Sequence, residues 1–225
     1  QEFTANVSHE LKTPLTSISG YAELIETGLA QPKDIPDFAR KIHVEASRMI
    51  QLVNDILQLS NLDNVSEAGT PLTMETVDLL EVARECVERQ KVNAKRSFIS
   101  LTYLGESAPV LGSRSLLDEL CQNLCDNAIR YNRPGGKVQI ITACTRDGHC
   151  SLTVKDNGIG IPKEAQSSVF ERFYRVDKSR SKATGGTGLG LAIVKHIARI
   201  HNARIKLESE IGEGTTITVL FETAH

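Results

Sequence analysis

Apolar residues recur every three or four positions along the first sixty residues of the chain. In the first run these positions are Phe3, Val7, Leu11, Leu15, Ile18, Ala22, Ile25 and Leu29. This spacing predicts an amphipathic α-helix, which Gly28 and residues 31–34 end. A second run follows from Phe38 to Ser60, in which Leu52 and Leu59 widen the apolar stripe. Two such helices joined by a short loop predict an antiparallel hairpin.

A single helical hairpin cannot bury both of its apolar faces in water. Two copies can bury them together as a four-helix bundle, because each hairpin then covers the other. The pattern therefore predicts a homodimer.

The hydrophobic pattern changes after the hairpin. Residues 61–71 are polar and contain Gly69 and Pro71, which indicates a linker. We place a hairpin domain at 1–64, the linker at 65–71 and a second domain at 72–225.

In the second domain, helical spacing covers 79–95, 114–131 and 189–201. Alternating β-branched positions cover 99–104, 137–145, 151–156, 203–209 and 215–222. The last two strands flank a turn at 211–214 and predict a β-hairpin. This order predicts an α/β sandwich in which helices cover one face of a mixed sheet.

Composition narrows the class of protein. The 225 residues are 40% hydrophobic and 24% charged with a formal net charge of −2, which argues against a general nucleic-acid binder. The five cysteines include no Cys-x-x-Cys pair, so we expect neither a disulfide framework nor a zinc site. Reduced cysteines in a reducing cytosol are expected instead. Cys121 and Cys125 are expected in the core.

No stretch of about 18 apolar residues is present, so no membrane-spanning segment is expected in this chain. No signal peptide is visible. The chain begins inside a helical pattern, which indicates a fragment of a longer protein.

His9 lies two residues from both Val7 and Leu11, the core positions of the first helix. Two residues correspond to about 200° on a helix, so His9 faces solvent. Glu10 can accept a proton from one ring nitrogen and leave the other as a nucleophile. Thr13 follows one turn later, and Pro14 is expected to bend the helix. A solvated polar face with a tolerated kink is the alternative interpretation.

Asn123 and Asn127 lie one turn apart on a predicted helix. Amide oxygens suit Mg²⁺, which prefers hard oxygen ligands and keeps water molecules and phosphate oxygens around it. Arg130 can reach a phosphate, and Tyr131 can pack near a base. Two asparagines on a solvated helix face are the alternative.

Two glycine-containing turns follow. Asp156 ends a strand and can accept a hydrogen bond from an exocyclic amine, while Gly158 and Gly160 allow a backbone to approach closely. A second turn opens a helix, whose N–H groups suit phosphate. Its residues are Gly186, Thr187, Gly188, Leu189 and Gly190. It matches neither a dinucleotide fingerprint nor a P-loop. The charged stretch 174–187 before it is expected to form a lid.

These motifs together resemble the sensor histidine kinases of two-component systems. Residues 8–15 (Ser-His-Glu-Leu-Lys-Thr-Pro-Leu) resemble the phosphoacceptor box of that family. Residues 123–131 resemble its N box, 156–160 and 186–191 its two glycine boxes, and 170–175 its F box. The order and spacing agree over nearly the whole chain, most closely with membrane-anchored kinases of Gram-positive bacteria that respond to phosphate or the cell wall.

The resemblance implies a dimerisation and phosphotransfer hairpin followed by an ATP-binding domain of the Bergerat type. It implies that His9 attacks the γ-phosphate of ATP, with Glu10 as hydrogen-bond partner and base. The phosphoryl group would then pass to an aspartate in the receiver domain of a response regulator. Thr13 would position water when that regulator is dephosphorylated. The chain is expected in the cytoplasm, as the intracellular part of a membrane-anchored protein.

For the nucleotide, the resemblance implies that Asn127 and Asn123 hold Mg²⁺ and that Asp156 reads adenine. Arg130 and Arg175 would meet phosphate, and the loop 186–190 would close over the triphosphate. In related ATPases a glutamate activates water at the place that Asn123 takes here. An amide cannot act as that base, which fits transfer to histidine better than hydrolysis.

Three alternatives remain at this point. A Bergerat-type ATPase would drive conformational change, but it would not need His9 in a hairpin. A noncatalytic dimeric scaffold would bind nucleotide without chemistry, but the intact Asn127, Gly188 and Gly190 argue against it. A serine/threonine kinase would carry a His-Arg-Asp loop, which the sequence lacks.

Overall fold

The computed structural model describes residues 2–68, 72–146, 148–176 and 186–222 of the chain. The N-terminal part is the expected hairpin of two packed helices, α1 (Glu2–Glu26) and α2 (Ile35–Ala68). Near the turn, the rings of Tyr21 and Phe38 lie 5.2 Å apart. The ammonium of Lys41 lies 5.2 Å from the Tyr21 ring.

Helix α2 is longer than its apolar pattern indicates. It continues to Ala68, so residues 65–68 are helical where we placed the start of the linker. Residues 69–71 lie outside the described residues. The polar residues after Ser60 have only weak preferences against helix, and Leu62 is buried, so packing decides their conformation.

The second domain contains three helices and two sheets in its described part. The helices are α3 (Leu79–Arg96), α4 (Arg114–Arg130) and α5 (Gly190–Ile200). The strands are β1 (Glu75–Asp78), β2 (Ser100–Gly105), β3 (Pro109–Gly112), β4 (Lys137–Cys144), β5 (His149–Asp156), β6 (Arg204–Glu210) and β7 (Gly214–Glu222). A short 3₁₀ helix spans Lys163–Ala165. The larger sheet has the order β2-β4-β5-β7-β6.

The larger sheet is mixed, as expected. Strand β2 pairs with β4 in parallel, and the other neighbours are antiparallel. Along β5, Cys150, Leu152 and Val154 are buried and alternate with less buried Ser151 and Thr153. Helices α3, α4 and α5 contact strands of this sheet. They supply the apolar cover for its buried face.

Strands β1 and β3 are absent from the sequence prediction. They form a separate antiparallel pair in which Val77 lies opposite Val110. Each has only four residues, which is too short for an alternation to stand out. Asp78 ends β1 and begins α3, because its carboxylate accepts hydrogen bonds from the N–H groups of Leu80 and Ala108, both at 2.9 Å.

The expectation of reduced cysteines is wrong for one pair. Cys144 and Cys150 lie opposite each other on β4 and β5, with Cα atoms 4.1 Å apart, and form a disulfide. The hairpin register places these two side chains together, which the sequence spacing alone does not reveal. Cys86, Cys121 and Cys125 are free thiols buried in the core, as expected for Cys121 and Cys125.

Helix α2 joins the hairpin to the second domain. Leu52, Leu59 and Leu62 belong to the same buried apolar cluster as the core of the nucleotide half, and α2 contacts α5. At the end of this contact, Arg172 donates to Asp63 at 2.8 Å. The widened stripe of α2 therefore faces the second domain.

Another set of apolar side chains on the hairpin is exposed in the single chain. These are Leu15, Leu24, Leu29, Ile35, Val44, Ile50, Val53 and Leu57. Their exposure fits the expectation that one hairpin cannot cover both of its apolar faces. None of the helices in the described ranges is long and apolar enough to cross a membrane.

The turn between β6 and β7 offers a stability test. Gly212 and Gly214 have φ angles of +85° and +118°. A Cβ on Gly212 would meet open space, whereas a Cβ on Gly214 would lie 2.1 Å from the carbonyl oxygen of Asp156. We expect Gly212→Ala to lower the free energy of unfolding by about 1 kcal/mol through backbone strain. Gly214→Ala should cost more than about 2 kcal/mol because a backbone clash is added.

Urea denaturation of both variants measures this difference. Equal losses of stability in Gly212→Ala and Gly214→Ala would contradict the packing described for the turn.

Candidate functional site

A cavity of about 500 Å³ opens between α4, the glycine turns and helix α2. It is lined by eleven of the thirteen residues that the sequence suggested for a nucleotide: Asn123, Asn127, Arg130, Tyr131, Asp156, Gly160, Arg175, Gly186, Thr187, Gly188 and Gly190. Gly158 and Leu189 do not line it. A cavity of this size is typical of sites for small molecules and cofactors.

Helix α4 presents the two amides to the start of α5. A Cβ on Gly190 would lie 3.1 Å from Asn123 Oδ1 and 3.7 Å from Asn127 Nδ2. The Asn123 amide N–H donates to the carbonyl oxygen of Glu119 at 3.1 Å, which leaves its oxygen on the side of Gly190. Glycine at 190 therefore keeps space between the amides and α5.

Asp156, at the end of β5, lines the same cavity. Its Oδ1 accepts hydrogen bonds from the N–H groups of Gly158 at 2.8 Å and Thr215 at 3.2 Å. Burial raises the pKa of Asp156, and the two hydrogen bonds oppose that shift. A Cβ on Gly158 would lie 2.4 Å from the carbonyl oxygen of Tyr131, so Gly158 shapes the turn. The second carboxylate oxygen remains to accept from an amine.

The second glycine turn is fixed by its neighbours. Gly188 has a φ of +75°, and its carbonyl oxygen accepts from the N–H of Phe173 at 2.9 Å. A Cβ on Gly186 would lie 2.9 Å from Tyr131 Oη and 3.4 Å from Arg130 Nη1. The turn thus lies against the two side chains that end α4.

Leu189 has a different place from its neighbours. It is buried in the apolar core, and its N–H donates to Thr187 Oγ1 at 3.3 Å. Leu189 therefore anchors the turn and does not face the cavity. Of the expected lid, residues 177–185 lie outside the described part of the chain.

The histidine helix borders this cavity. His9 is exposed, as the helical period indicates. The Thr13 hydroxyl donates to the carbonyl oxygen of His9 at 3.3 Å, and Pro14 is buried. The Glu10 carboxylate accepts from Arg175 Nη2 at 2.9 Å. Within the described ranges, no hydrogen bond joins Glu10 to His9.

Arg175 is the link between the histidine helix and the cavity. Its side chain is only 6% exposed, and Arg48 from α2 lies 3.8 Å from the same Glu10 carboxylate. Burial lowers the pKa of Arg175, and the charge of Glu10 raises it again. Removing one partner of a buried ion pair costs more than removing an exposed one, because a buried charge is left alone.

The structure adds Gln51 and Asp55 of α2 to the cavity wall. The Thr187 hydroxyl donates to Asp55 Oδ2 at 2.6 Å, and the Gln51 amide donates to Asp55 Oδ1 at 2.6 Å. The sequence carried a signal for Asp55, which lies on the same helix face as Leu52 and Leu59. An acidic residue inside an apolar stripe indicates a buried polar contact.

Glu119 is another carboxylate of this region that the sequence did not single out. Burial, followed by the charge of Asp55, raises the pKa of Glu119 to about 7. Glu119 Oε1 is buried without a hydrogen-bond partner in the described part of the chain. Burial also raises the pKa of Asp55, although Thr187 and Gln51 oppose the shift.

The residues present fit a nucleotide with a hard cation. The amide oxygens and the Asp156 carboxylate that line the cavity suit a phosphate-bound cation and a base amine, respectively. In the described ranges, His, Cys, Asp and Glu side chains form no group of three that could hold a metal ion. A cation here would therefore take amide and phosphate oxygens.

Glu119 predicts a pH-dependent stability. Because the folded pKa is about 7 against 4.5 for the free side chain, the fold favours the protonated acid. Its contribution is fully present below about pH 4.5 and is lost as the pH rises through about 7. We expect Glu119→Gln to match the wild type near pH 5 and to be more stable near pH 8.

Urea denaturation at both pH values tests this expectation, with Glu213→Gln as an exposed control. If the difference in free energy of unfolding between Glu119→Gln and the wild type is the same at pH 5 and pH 8, the raised pKa of Glu119 is wrong.

Two family models match the chain. The His Kinase A (phospho-acceptor) domain matches residues 1–65. The histidine kinase-, DNA gyrase B-, and HSP90-like ATPase family matches residues 112–225. The two matches fall on the hairpin and on the part of the second domain that carries the cavity, so the second domain is of an ATP-binding type.

Curated relatives and a solved structure agree with these matches. The sensor-like histidine kinase SenX3 of Mycolicibacterium smegmatis is 43% identical over 97% of this chain and 56% of its own length. The sensor protein kinase WalK of Staphylococcus epidermidis is 40% identical over 97% of this chain and 36% of its length. The structure of histidine kinase ThkA in complex with response regulator protein TrrA shares the fold, with a TM-score of 0.79 and 24% identity over 100% of this chain and 62% of that chain.

The chain thus spans about half of SenX3 and about a third of WalK. Nearly all of its length is matched in both, and the residues suggested for a nucleotide line one cavity whose Arg175 contacts the histidine helix through Glu10. The chain belongs to the sensor histidine kinases of two-component systems.

Proposed function

We propose that the chain is an ATP-dependent protein-histidine autokinase that phosphorylates His9. The observation that carries this proposal is the contact between Glu10 and Arg175, at 2.9 Å. It brings the helix of the exposed His9 to the edge of the cavity that Arg175 lines. An acceptor and a donor site in one chain suit phosphoryl transfer, which depends mainly on positioning and charge neutralisation.

In the proposed reaction, one ring nitrogen of His9 attacks the γ-phosphorus of ATP. The bond between that phosphorus and the bridging oxygen breaks, and ADP leaves with the electron pair. Glu10 accepts the proton of the other ring nitrogen.

Glu10 and Arg175 exchange partners in this proposal. In the structure Arg175 donates to the Glu10 carboxylate, and within the described residues Glu10 makes no hydrogen bond to His9. A triphosphate that takes Arg175 frees the Glu10 carboxylate for the neighbouring histidine. The exchange requires the hairpin and the nucleotide domain to move relative to each other, as in hinge transitions.

The cavity residues divide into two groups in our proposal. Asp156 accepts from the adenine amine, with Tyr131 beside the base and with Gly158 and Gly160 permitting its approach. Arg130 and Arg175 meet phosphate, and the turn at 186–190 closes over the triphosphate. Asn127 and Asn123 hold Mg²⁺, which neutralises phosphate charge when bound.

Asn123 supports transfer over hydrolysis. Its side chain is an amide, which is not basic enough to take a proton from water, and its N–H donates to the helix backbone. A Bergerat-type ATPase would need a general base in reach of water. A scaffold without chemistry would not need an exposed His9 beside the cavity.

The partners we propose are a second copy of the chain and the receiver domain of a response regulator. The exposed apolar side chains of the hairpin and the match to a phospho-acceptor domain support the homodimer. An exposed His9 can pass its phosphoryl group to an aspartate of the regulator. Thr13, four residues along the same helix, is proposed to position water when the regulator is dephosphorylated.

We place this chain on the cytoplasmic side of a membrane-anchored sensor. The relatives named as sensor kinases are longer than this chain, which supports a larger parent protein.

His9→Gln tests the proposed acceptor. We expect this variant to bind ATP with unchanged affinity and to incorporate no labelled phosphate, because glutamine has no nucleophilic ring nitrogen. His43→Gln is the matched control, since His43 is an exposed histidine on α2 and should leave labelling intact. The measurement is incubation with γ-labelled ATP and Mg²⁺, followed by acid and alkali treatment.

The wild-type label should be lost in acid and kept in alkali, as a phosphohistidine requires. Label that persists on His9→Gln would rule out His9. Release of free phosphate without any labelled protein would favour the ATPase alternative.

A further inference from the structure

The nucleotide cavity contains a side chain from the hairpin that the proposed reaction does not use. We infer that Asp55 of α2 is a positioning residue of the nucleotide site, which holds the second glycine turn through Thr187 only while the hairpin is docked. The inference rests on the nucleotide binding in the proposed function and does not depend on phosphorylation of His9.

Asp55 is an acidic residue buried on an apolar helix face, where a carboxylate is unfavourable unless it has hydrogen-bond partners. It is 6% exposed and shares a helix face with Leu52, Leu59 and Leu62, all buried against the nucleotide domain. A buried carboxylate without partners is strongly unfavourable, so its hydrogen bonds determine how α2 can dock. Those bonds come from Gln51 on its own helix and from Thr187 across the interface.

Thr187 passes this constraint to the turn. Its hydroxyl proton goes to Asp55 Oδ2 at 2.6 Å, while its oxygen accepts from the N–H of Leu189 at 3.3 Å. Thr187 is 5% exposed, and α5 begins at Gly190. The chain of two hydrogen bonds therefore fixes the backbone that directly precedes the N-terminus of α5, where phosphate would bind.

The geometry has a consequence for nucleotide affinity. When the hairpin docks, the turn is already ordered, so binding does not have to fix it. When the hairpin undocks, Asp55 leaves, the turn loses its anchor at Thr187, and the nucleotide itself must order that residue. Fixing one residue of backbone corresponds to roughly a tenfold change in an equilibrium constant. Docking of the hairpin and nucleotide affinity are therefore coupled, and the coupling is reciprocal.

The negative charge of Asp55 lowers nucleotide affinity, whereas its hydrogen bond to Thr187 raises it. Asp55 lines the cavity and would repel a triphosphate, so its hydrogen-bonding role and its charge can be separated by substitution. Asparagine keeps an acceptor for Thr187 and removes the charge, and Gln51 can turn its amide to accept from the new N–H. Alanine removes both the acceptor and the charge.

A double-mutant cycle between Asp55 and Thr187 tests the inference. The probe is a non-hydrolysable ATP analogue with Mg²⁺, titrated calorimetrically into the full chain. We expect Asp55→Ala and Thr187→Val each to weaken binding roughly tenfold. The double variant should also lose roughly tenfold, and not a hundredfold, because both changes break the same link.

Conservative variants and a second acidic residue supply the controls. Asp55→Asn and Thr187→Ser retain the hydrogen bond, so their affinity for the analogue should be no more than about threefold below that of the wild type. Asp63 also joins α2 to the nucleotide domain, through Arg172, and is absent from the cavity wall. Asp63→Ala combined with Thr187→Val should show independent effects.

Wild-type affinity in Asp55→Ala would overturn the inference, as would a hundredfold loss in the Asp55→Ala/Thr187→Val variant. The same non-additivity in the Asp63 cycle would also overturn it, because docking in general would then explain the effect. Coupling between Asp55 and Thr187 in a chain that fails to label His9 would contradict the proposed function and support this inference.

Discussion

A carboxylate must be accommodated inside the apolar face by which α2 meets the nucleotide domain. Asp55 lies between Leu52 and Leu59 on that face, and among the described residues its hydrogen-bond donors are the Thr187 hydroxyl and the Gln51 amide. An apolar contact alone would tolerate sliding of one helix along another. A buried carboxylate with a fixed partner permits far fewer positions, since displacement leaves it without hydrogen bonds.

Another polar contact of the interface lies at the edge of the nucleotide cavity and involves both hairpin helices. Glu10 from α1 holds Arg175, and Arg48 from α2 lies close to the same carboxylate. In our proposal each of these two contacts uses a residue that also serves the nucleotide, Thr187 or Arg175, unlike the contact between Asp63 and Arg172. In our proposal the hairpin and the nucleotide therefore compete for Arg175, whereas the docked hairpin assists nucleotide binding through Thr187. A domain movement that frees Glu10 would then also change the order of the glycine turn.

The local elements were predictable because their patterns are local. The stripe of α1, the alternation of β5 and the glycine turns needed only nearby residues. The roles of Asp55 and Glu119 depend on contacts between distant segments, which periodicity does not encode. Strands β1 and β3 were missed because four residues hold too little alternation. The pairing of Cys144 with Cys150 depended on hairpin register, and the end of α2 on packing at Leu62.

The most direct test of a nucleotide site shared by both domains is amide hydrogen exchange with and without a non-hydrolysable ATP analogue and Mg²⁺. The account predicts altered exchange in two places, the turn at 186–189 and the part of α2 around Asp55. A change confined to the nucleotide domain, with α2 unaffected at saturating analogue, would contradict it.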